Sequence, residues 1–330
     1  MRIGNNPNNH KKIDTFLKSH RVIIPVYIPN FEGYFKDSLN VFKVCLESLI
    51  KTINNDTAIS IISNASCSDV NDYIYDLKRN NRIDRAIFNK ENVGKMNAII
   101  SETRASFEEY ITYSDADVFF DKNWLLKTYN IFKNVPEAGF VSMNPTPQNY
   151  THSESTILSN LVSVFFKKFK TSEICSYDDL KHFHDSIGRN ENFTKNMFKS
   201  NILSISNNNY IIGAGHFCCT IKKTPTLKYV PKKYSNIGVS GGSESVYLDI
   251  PFNKTGLWKL SSPKAHVWHM GNVLEEKWVN DKLKFLEKFK EDDFSFFDIN
   301  TKRKFQFSSI IPYKLRIFLV RGLKKIKALD

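Results

Sequence analysis

Two carboxylates, Asp115 and Asp117, follow directly after the apolar segment 109–114. That segment predicts a buried strand, and the two side chains can face one ligand if the backbone turns where the strand ends. A divalent cation that bridges a diphosphate requires hard oxygen ligands of this kind. The same pair also fits a simple turn, in which the aspartates cap a helix that begins near Lys122. On the motif alone the turn is the better interpretation, because Asp-x-Asp is a common sequence.

Two further polar motifs stand at the ends of predicted elements. Gly94 and Lys95 open a predicted helix, where glycine lets the backbone approach a ligand and the helix N-terminus favours an anion. Lys95 adds a mobile positive charge. The segment 63–66 (SNAS) ends a predicted strand, where small polar groups can meet a nucleobase. The plainer interpretations are an ordinary loop-to-helix junction and a turn.

The elements around these motifs alternate along the first half of the chain. Strands are predicted over 21–27, 58–63, 84–88 and 109–114, with helices over 36–53, 69–80 and 94–106 between them. This alternation predicts a parallel, doubly wound sheet, which binds ligands beyond the carboxyl ends of its strands. After residue 150 the pattern loosens. Residues 151–209 are polar, and a further strand is predicted over 210–221.

The order of these motifs resembles family 2 glycosyltransferases. An apolar strand ends in Pro25-Val26-Tyr27, a second ends in the small polar quartet, the segment 92–98 (NVGKMNA) opens a helix, and a strand ends in Asp-x-Asp. The resemblance covers residues 21–271 and is strongest over 21–145. It implies the α/β fold called GT-A, which is Rossmann-like and doubly wound with a mainly parallel sheet. It also implies an enzyme that transfers a sugar from a nucleotide sugar.

The resemblance further implies a donor site. Its residues would be Pro25, Val26, Tyr27, Asn64, Lys95, Asn97, Asp115 and Ala116. Asn64 stands where the family often has Asp, and an amide presents different hydrogen-bonding groups from a carboxylate. The loop 28–35 also departs from the family pattern, and we expect it to add a wall to the nucleotide site. A UDP-sugar is the expected donor.

A metal site is implied at the same end of the sheet. Asp115 and Asp117 would address the ribose and the metal, with Asp117 the direct ligand, and His269 would complete the site in preference to His266. The two histidines also fit a buried structural pair or a turn. Two carboxylates, an imidazole and diphosphate oxygens would accept Mn²⁺ at least as readily as Mg²⁺. We therefore expect a divalent cation as cofactor, with Mn²⁺ preferred over Mg²⁺.

Family members also carry an acidic residue that deprotonates the acceptor hydroxyl. Glu244 stands at the matching place, and Asp249 is the second candidate for this catalytic role. The alternative for Glu244 is a carboxylate that interacts with a helix N-terminus. Gly215 and His216 would contact the acceptor, because glycine permits close approach, although strand packing explains their segment nearly as well.

The composition is that of a globular protein. Of 330 residues, 41% are hydrophobic and 25% are charged, which permits a sizeable core. The five cysteines show no CxxC spacing, so we expect neither a disulfide framework nor a zinc ribbon, and a reducing compartment fits best. The N-terminal segment lacks the apolar stretch of a signal peptide.

The net charge of +13 is concentrated at the C-terminus. Residues 301–330 contain nine Lys or Arg and one acid, a net charge of +8. On a helical projection of residues 311–329, one face collects Ile311, Leu315, Phe318, Leu319, Leu323, Ile326 and Leu329. The basic residues occupy the other face, with Ile317 and Val320 among them. This pattern predicts a helix that binds an anionic membrane surface through residues 310–330. The alternative is a last helix packed on the core with a solvated basic face.

Together these patterns divide the chain into four parts. They are a polar leader (1–19), a nucleotide-sugar-binding half (20–145), an acceptor-binding half (146–280) and a basic amphipathic extension (281–330). We expect an inverting hexosyl- or N-acetylhexosaminyltransferase that acts on a hydroxyl of a saccharide acceptor, expected to be lipid-linked. It would work in the cytoplasm, peripheral on the inner face of the cell membrane, with no nucleic-acid partner.

Two rival functions were considered. A sugar nucleotidyltransferase would require a Gly-rich, Arg-containing loop after the first strand, which residues 28–36 (IPNFEGYFK) do not provide. A nucleic-acid-binding protein would line a groove with basic and aromatic residues, whereas here the basic residues cluster in the terminus.

Overall fold

The fold is described by a computed structural model over residues 3–4, 7, 17–147, 152–161, 169–205, 210–238, 241–300 and 307–325. Most of the predicted leader 1–19, and residues 326–330 of the basic extension, lie outside the described residues. The helices are α1 (Ser38–Lys51), α2 (Ser68–Arg79), α3 (Lys95–Ala105), α4 (Trp124–Asn134), α5 (Glu154–Ser159), α6 (Thr171–Ile174), α7 (Tyr177–Ser186), α8 (Glu191–Lys199), α9 (Lys223–Leu227), α10 (Ile250–Lys254), α11 (Glu276–Leu286), α12 (Phe307–Ile310) and α13 (Tyr313–Lys325).

The strands and short turns complete the architecture. The strands are β1 (His20–Val26), β2 (Thr57–Asn64), β3 (Arg85–Asn89), β4 (Tyr110–Ser114), β5 (Val118–Phe120), β6 (Ala138–Ser142), β7 (Phe169–Lys170), β8 (Asn201–Ile202), β9 (Ser204–Ile205), β10 (Tyr210–Ile212), β11 (Cys218–Lys222), β12 (Trp258–Ser261) and β13 (Val267–His269). The turns are two 3₁₀ segments, Gly33–Phe35 and Phe296–Asp298, and a π-helical turn, Ser245–Asp249.

Within the described residues, nine strands form one sheet in the order β3-β2-β1-β4-β11-β6-β12-β10-β9. The sheet is mostly parallel, because only β10 and β11 run against the other strands. A separate two-stranded ribbon pairs β5 with β13, and a second pairs β7 with β8. The mainly parallel α/β fold predicted from the sequence is confirmed.

The predicted elements of the first half are all present, with boundaries shifted by one or two residues. Every residue of β2 and β4 is buried, because helices cover both faces of the parallel region. Phe42 and Leu46 of α1 belong to the core on one face, and Met96 and Ile99 of α3 to the core on the other. The strand order brings the carboxyl ends of β1, β2 and β4 to one edge, where the motifs lie.

The prediction of a single strand over residues 210–221 is wrong. The segment forms β10 and β11, which are not neighbours in the sheet. The chain leaves the sheet at Gly213, whose φ of 118° is a conformation that glycine adopts easily and other residues rarely do. The resulting loop carries Gly215 and His216 to the edge of the sheet, which a continuous strand would not do.

The C-terminal helix α13 packs on α5, but not through the face that the helical projection suggests. Arg316 and Val320 are buried, while Phe318, Leu315 and Leu319 are 71%, 46% and 38% exposed. Polar partners explain why a basic residue faces inward, because Arg316 donates to the Ser155 hydroxyl and lies over the Tyr313 ring. The solvated basic face that the alternative, a core-packed helix, implied is therefore wrong for Arg316, which is buried.

Among the described residues, none of the helices combines the length and the apolar character that crossing a membrane would need.

Candidate active site

A cavity of about 800 Å³ opens at the carboxyl ends of β1, β2 and β4. Its walls include these residues predicted from the sequence: Pro25, Val26, Tyr27, Asn64, Lys95, Asp115, Ala116 and Asp117. The structure thus gathers residues from three separate strand ends and one helix start around a single space. Further wall residues come from the loop 234–238 and from Gly271 and Asn272.

Asp115 and Asp117, which line this cavity, form a cluster with His269. One ligand atom from each residue lies within 4.8 Å of the other two, which is close enough for a shared cation. The β5–β13 ribbon creates the cluster, because it places His269 opposite Val118, and the Met270 amide donates to the Asp117 carbonyl at 2.8 Å. His269 is therefore held beside Asp117 although they are far apart in sequence.

The environment of Asp117 fits a cation. Among the residues that the structure describes, its buried Oδ1 atom has no hydrogen-bond partner, and its Oδ2 lies 3.4 Å from Nε2 of His269. Burial raises the pKa of Asp117 to about 6, although the neighbouring His269 opposes the rise. Two carboxylates and an imidazole form a donor set that Mn²⁺ and Mg²⁺ accept.

The plainer interpretation of the two aspartates is not supported. The helix that follows them, α4, begins at Trp124 with Asn123 in the capping position, and no side chain accepts a cap hydrogen bond there. The strand β5 lies between the Asp-x-Asp motif and the helix. His266, the alternative histidine, donates its amide to Met143 and is not in the Asp115, Asp117 and His269 cluster.

Lys95 links the cluster of Asp115, Asp117 and His269 to the candidate catalytic acid Glu244. Its Nζ lies 2.5 Å from Oδ1 of Asp115 and 2.8 Å from Oε1 of Glu244. Burial opposes the charge, but the carboxylates of Asp115 and Glu244 hold the pKa of Lys95 above its usual range. Gly94 precedes the helix with φ of 85°, so the chain can turn sharply and place Lys95 at the cavity wall.

The two acidic candidates, Glu244 and Asp249, lie on either side of His216. His216 Nδ1 is 3.4 Å from Oε2 of Glu244, and its Nε2 is 2.9 Å from Oδ1 of Asp249. Asp249 is buried and also contacts the ammonium group of Lys259, whereas Glu244 contacts Lys95 on the cavity wall. Glu244 is therefore better placed to meet an acceptor than Asp249.

The charges around these acids keep both ionised. Burial favours the neutral acid, but the contacts of Glu244 with His216 and Lys95 lower its pKa to about 2. Burial likewise opposes the ionisation of Asp249, but the charge of Lys259 and the bond to His216 hold its pKa well below its usual range. A carboxylate that is already ionised can accept a proton at neutral pH.

Three predicted site residues make hydrogen bonds inside the protein, and of these Asn64 also lines the cavity. Asn97 donates to the carbonyls of Val93 and Ser235 and accepts from the Ser235 amide, so it fastens the loop 234–238. Asn64 lines the cavity, yet its amide already bonds Asn92, Asn89 and the Val93 amide. Gly215 donates to Ser142, and a Cβ atom at this glycine would lie 3.1 Å from Thr146.

Aromatic side chains of the loop 28–35 and of β1's end form one end of the cavity. Tyr27, Tyr34 and Phe35 all line it, and Phe35 makes edge contacts with both tyrosines at 5.9 and 5.3 Å between ring centroids. The Asn272 side chain donates to the Tyr34 carbonyl at 3.0 Å, which ties this loop to the segment after His269. Exposed aromatic rings of this kind can stack on a nucleobase.

Sequence reasoning missed two contributors. The first is Lys259, which is buried and pairs with Asp249. A lysine flanked by Trp258 and Leu260 in an apolar stretch is the signal that could have found it, because buried lysines need a partner. The loop 234–238 showed no motif, and only the fold brings it to the cavity.

Comparison with known proteins identifies the family. Residues 22–189, about half of the chain, match the sequence profile described as glycosyl transferase family 2. The chain therefore belongs to this family and is a glycosyltransferase, and its mostly parallel sheet agrees with the GT-A fold. Among curated proteins, none matches the sequence.

Solved structures show a distant likeness. TarS from S. aureus in complex with UDP-GlcNAc is 14% identical, with a TM-score of 0.32 over 39% of this chain and 34% of that chain. The mannosyltransferase PcManGT from Pyrobaculum calidifontis, in complex with GDP-Man and Mn²⁺, is 12% identical, with a TM-score of 0.42 over 76% and 56%. The chain thus spans less than two thirds of the length of these structures.

Proposed function

We propose that this glycosyltransferase moves a sugar from a nucleotide diphosphate donor to a hydroxyl of a saccharide acceptor, and that it requires a divalent cation. The observation that carries the proposal is the cluster that Asp115 and Asp117, both in the cavity wall, form with His269. Lys95 links this cluster to Glu244, because its ammonium group contacts both Asp115 and Glu244. A site for a diphosphate and a candidate base are thereby side by side.

Asp115, Asp117 and His269 would hold the cation, which we propose to be Mn²⁺ in preference to Mg²⁺. When bound, a cation supplies positive charge that stabilises the leaving diphosphate. The imidazole of His269 supports the preference, since Mn²⁺ accepts a nitrogen ligand more readily than Mg²⁺. Lys95 would add a second positive charge on the diphosphate side of the cavity.

The nucleoside would lie against Tyr27, Tyr34 and Phe35, and we propose a UDP-sugar as the donor. Stacking on aromatic rings contributes about 1–3 kcal/mol per base. Because the Asn64 amide is already bonded within the protein, this side chain is not available to select the base without breaking those bonds. Residues 20–145 would thus form the donor half, and residues 146–280 the acceptor half.

Glu244 would act as the general base. The acceptor oxygen bonds to the anomeric carbon while the bond from that carbon to the diphosphate breaks, and the electron pair leaves with the diphosphate. The hydroxyl proton passes to the carboxylate of Glu244, and the anomeric centre is inverted. A donor diphosphate would draw Lys95 away from Glu244, which raises the proton affinity of the carboxylate during the reaction.

A panel of nucleotide sugars, assayed for donor hydrolysis with Mn²⁺, with Mg²⁺ and with excess chelator, tests this proposal. We expect one UDP-sugar to be turned over, chelator to stop the reaction and Mn²⁺ to restore it best. Asp117→Ala should abolish turnover, whereas the exposed control Asp72→Ala should not. Full activity in excess chelator would show that the metal assignment is wrong.

We also propose that the acceptor is lipid-linked and that the enzyme is peripheral on the cytoplasmic face of the cell membrane. The exposed apolar residues of α13 support this, because Leu315, Phe318 and Leu319 form one face and the exposed Lys314 and Arg321 accompany it. The helix packs on α5, and His152, just before α5, lies 3.3 Å from Ser245 beside Glu244. A membrane that contacts α13 would therefore bring a lipid-linked acceptor close to the proposed base.

A further inference from the structure

His216 lies between two carboxylates, Glu244 just before the π-helical turn Ser245–Asp249 and Asp249 at its end. Its Nε2 is 2.9 Å from Asp249, a hydrogen-bond distance, and its Nδ1 is 3.4 Å from Glu244, an ion-pair distance. Both ring nitrogens can donate at once only when the imidazole is protonated. The position of the ring between two anions therefore favours the imidazolium form.

On the Asp249 side of His216, two buried and opposite charges pair with each other. The side chain of Lys259 is 2% exposed and contacts Asp249, whose side chain is 7% exposed, and the Lys259 ammonium lies 4.6 Å from the centre of the Phe140 ring. A buried charge without a partner is strongly unfavourable, so Lys259 and Asp249 hold each other in place. Asp249 thus offers a fixed carboxylate against which the ring of His216 is oriented.

Each oxygen of Glu244 faces a different cation. Oε1 contacts Lys95 and Oε2 contacts His216, which fixes the rotation of the carboxylate about its last bond. Lys95 also contacts Asp115, and the proposed donor competes for it. Once a diphosphate has drawn Lys95 away, His216 is the cation that still orients Glu244.

We propose that His216 is a positioning residue, whose imidazolium holds Oε2 of Glu244 while Asp249 and Lys259 fix the ring from behind. The proposal rests on the proposed role of Glu244 as the base. It replaces the expectation that His216 binds the acceptor and that Asp249 is a reserve base. Asp249 instead acts through His216.

The protonation of His216 follows from the groups that face it. Burial disfavours the charge, but the hydrogen bond to Asp249 and the contact with Glu244 raise the pKa of His216 to about 9, against the opposing charge of Lys259. The imidazolium is thus present at neutral pH and is lost as the pH rises through about 9. Above that pH the neutral imidazole can donate from only one nitrogen, so one of the two carboxylates loses its hydrogen-bond donor. Turnover should therefore fall.

The first test is direct titration of the His216 ring by nuclear magnetic resonance, which needs no activity. We expect the wild-type ring to titrate near pH 9, and the ring in Asp249→Asn to titrate at least one pH unit lower, because one of its two anions is gone. His184, which is buried and bonds Thr194 outside the site, serves as an internal control whose titration should not move. A wild-type His216 that titrates at an ordinary pKa would overturn the proposal.

The second test is the pH profile of turnover with Mg²⁺ and saturating donor. His216→Ala should lower kcat by roughly 10²-fold, the cost of a misplaced catalytic group, with the KM for the donor unchanged. His216→Gln keeps a hydrogen-bond donor that does not titrate, so it should recover part of kcat and lose the fall above pH 9. His184→Gln should keep the wild-type profile.

The outcomes separate this inference from the proposed function. An unchanged kcat in His216→Ala, or an alkaline fall that persists in His216→Gln, would refute the positioning role. If the wild type transfers no sugar, the proposed function fails, while the ring titration still decides whether the two carboxylates hold His216 protonated. If Glu244→Gln keeps full turnover, the base assignment fails and the positioning role fails with it.

Discussion

Replacing Phe318 by Ser distinguishes a membrane-binding helix from a helix that only packs on the core. Phe318 is the most exposed of the large hydrophobic side chains that the structure describes in α13, at 71%, whereas Val320, two residues later, is 5% exposed and packs with Ile157, Leu203 and Ile212. The two residues lie on opposite sides of one helix. Substitution at one should therefore affect membrane binding, and substitution at the other should affect folding.

The magnitudes follow from burial. Full burial of a Phe side chain is worth about 1.5–3 kcal/mol, so insertion of the exposed part of Phe318 contributes about 1–2 kcal/mol. Phe318→Ser should then weaken partitioning onto vesicles roughly 5- to 30-fold. Val320→Ala removes buried methyl groups and should cost about 1–3 kcal/mol of unfolding free energy. That change should lower Tm by a few degrees and leave vesicle binding of the folded protein largely intact.

The assay is flotation with vesicles that contain anionic lipid, alongside neutral vesicles, at low and high salt. Wild type should float with anionic vesicles and less so at high salt, because screening weakens the charged part. Phe318→Ser should remain in the soluble fraction with an unchanged Tm. Equal flotation of Phe318→Ser and wild type, or a loss of Tm in Phe318→Ser as large as in Val320→Ala, would show that this face does not bind membranes.

Three further outcomes are expected. Glu244→Gln should lower kcat by ~10²–10⁴-fold with little change in donor binding, measured by calorimetry, and a loss of binding instead would make Glu244 a binding residue. Tyr34→Ala should raise the KM for the donor with kcat nearly unchanged, because the ring, 67% exposed in the cavity wall, offers stacking area. Glu291→Gln should raise Tm at pH 8 but not at pH 4. Burial raises the pKa of Glu291 to about 7. Above that pH the ionised acid lowers the free energy of unfolding by up to about 3 kcal/mol. Equal Tm gains at pH 4 and pH 8 would contradict this reasoning.

The sequence predicted the scaffold of the donor half because its signals are local. Strand and helix periodicity over residues 21–114 gave the alternating order, and the motifs at strand ends were placed at one edge by the rules of parallel sheets. Asp115, Asp117 and Lys95 needed no further information to be brought together. His269 could be placed only through the family resemblance, since its position depends on the β5–β13 ribbon.

Contacts between distant segments could not be predicted. The split of 210–221 into two strands depends on β12, which separates β10 from β6 and β11 in the sheet. The roles of Asp249 and Lys259 depend on a buried pairing across β12 and the π-helical turn. The face of α13 depends on Ser155, which receives a hydrogen bond from Arg316 across 161 positions of sequence. Helical projection shows which residues share a face. It does not show which hydrogen-bonding or apolar groups of the neighbouring element contact that face.

The β5–β13 ribbon determines how the three proposed metal ligands would move if the ribbon shifted relative to the large sheet. His269 pairs with Val118 in the ribbon and the Met270 amide donates to the carbonyl of Asp117, which directly precedes β5, while the Asp115 amide donates to the carbonyl of Phe217, next to β11 of the large sheet. If the ribbon shifts against the sheet, Asp117 and His269 travel together and Asp115 stays behind. If the cleft opened in this way, a bound ion would keep Asp117 and His269 as ligands and lose Asp115. The same small displacement would then weaken the binding of the ion and of the nucleotide product together.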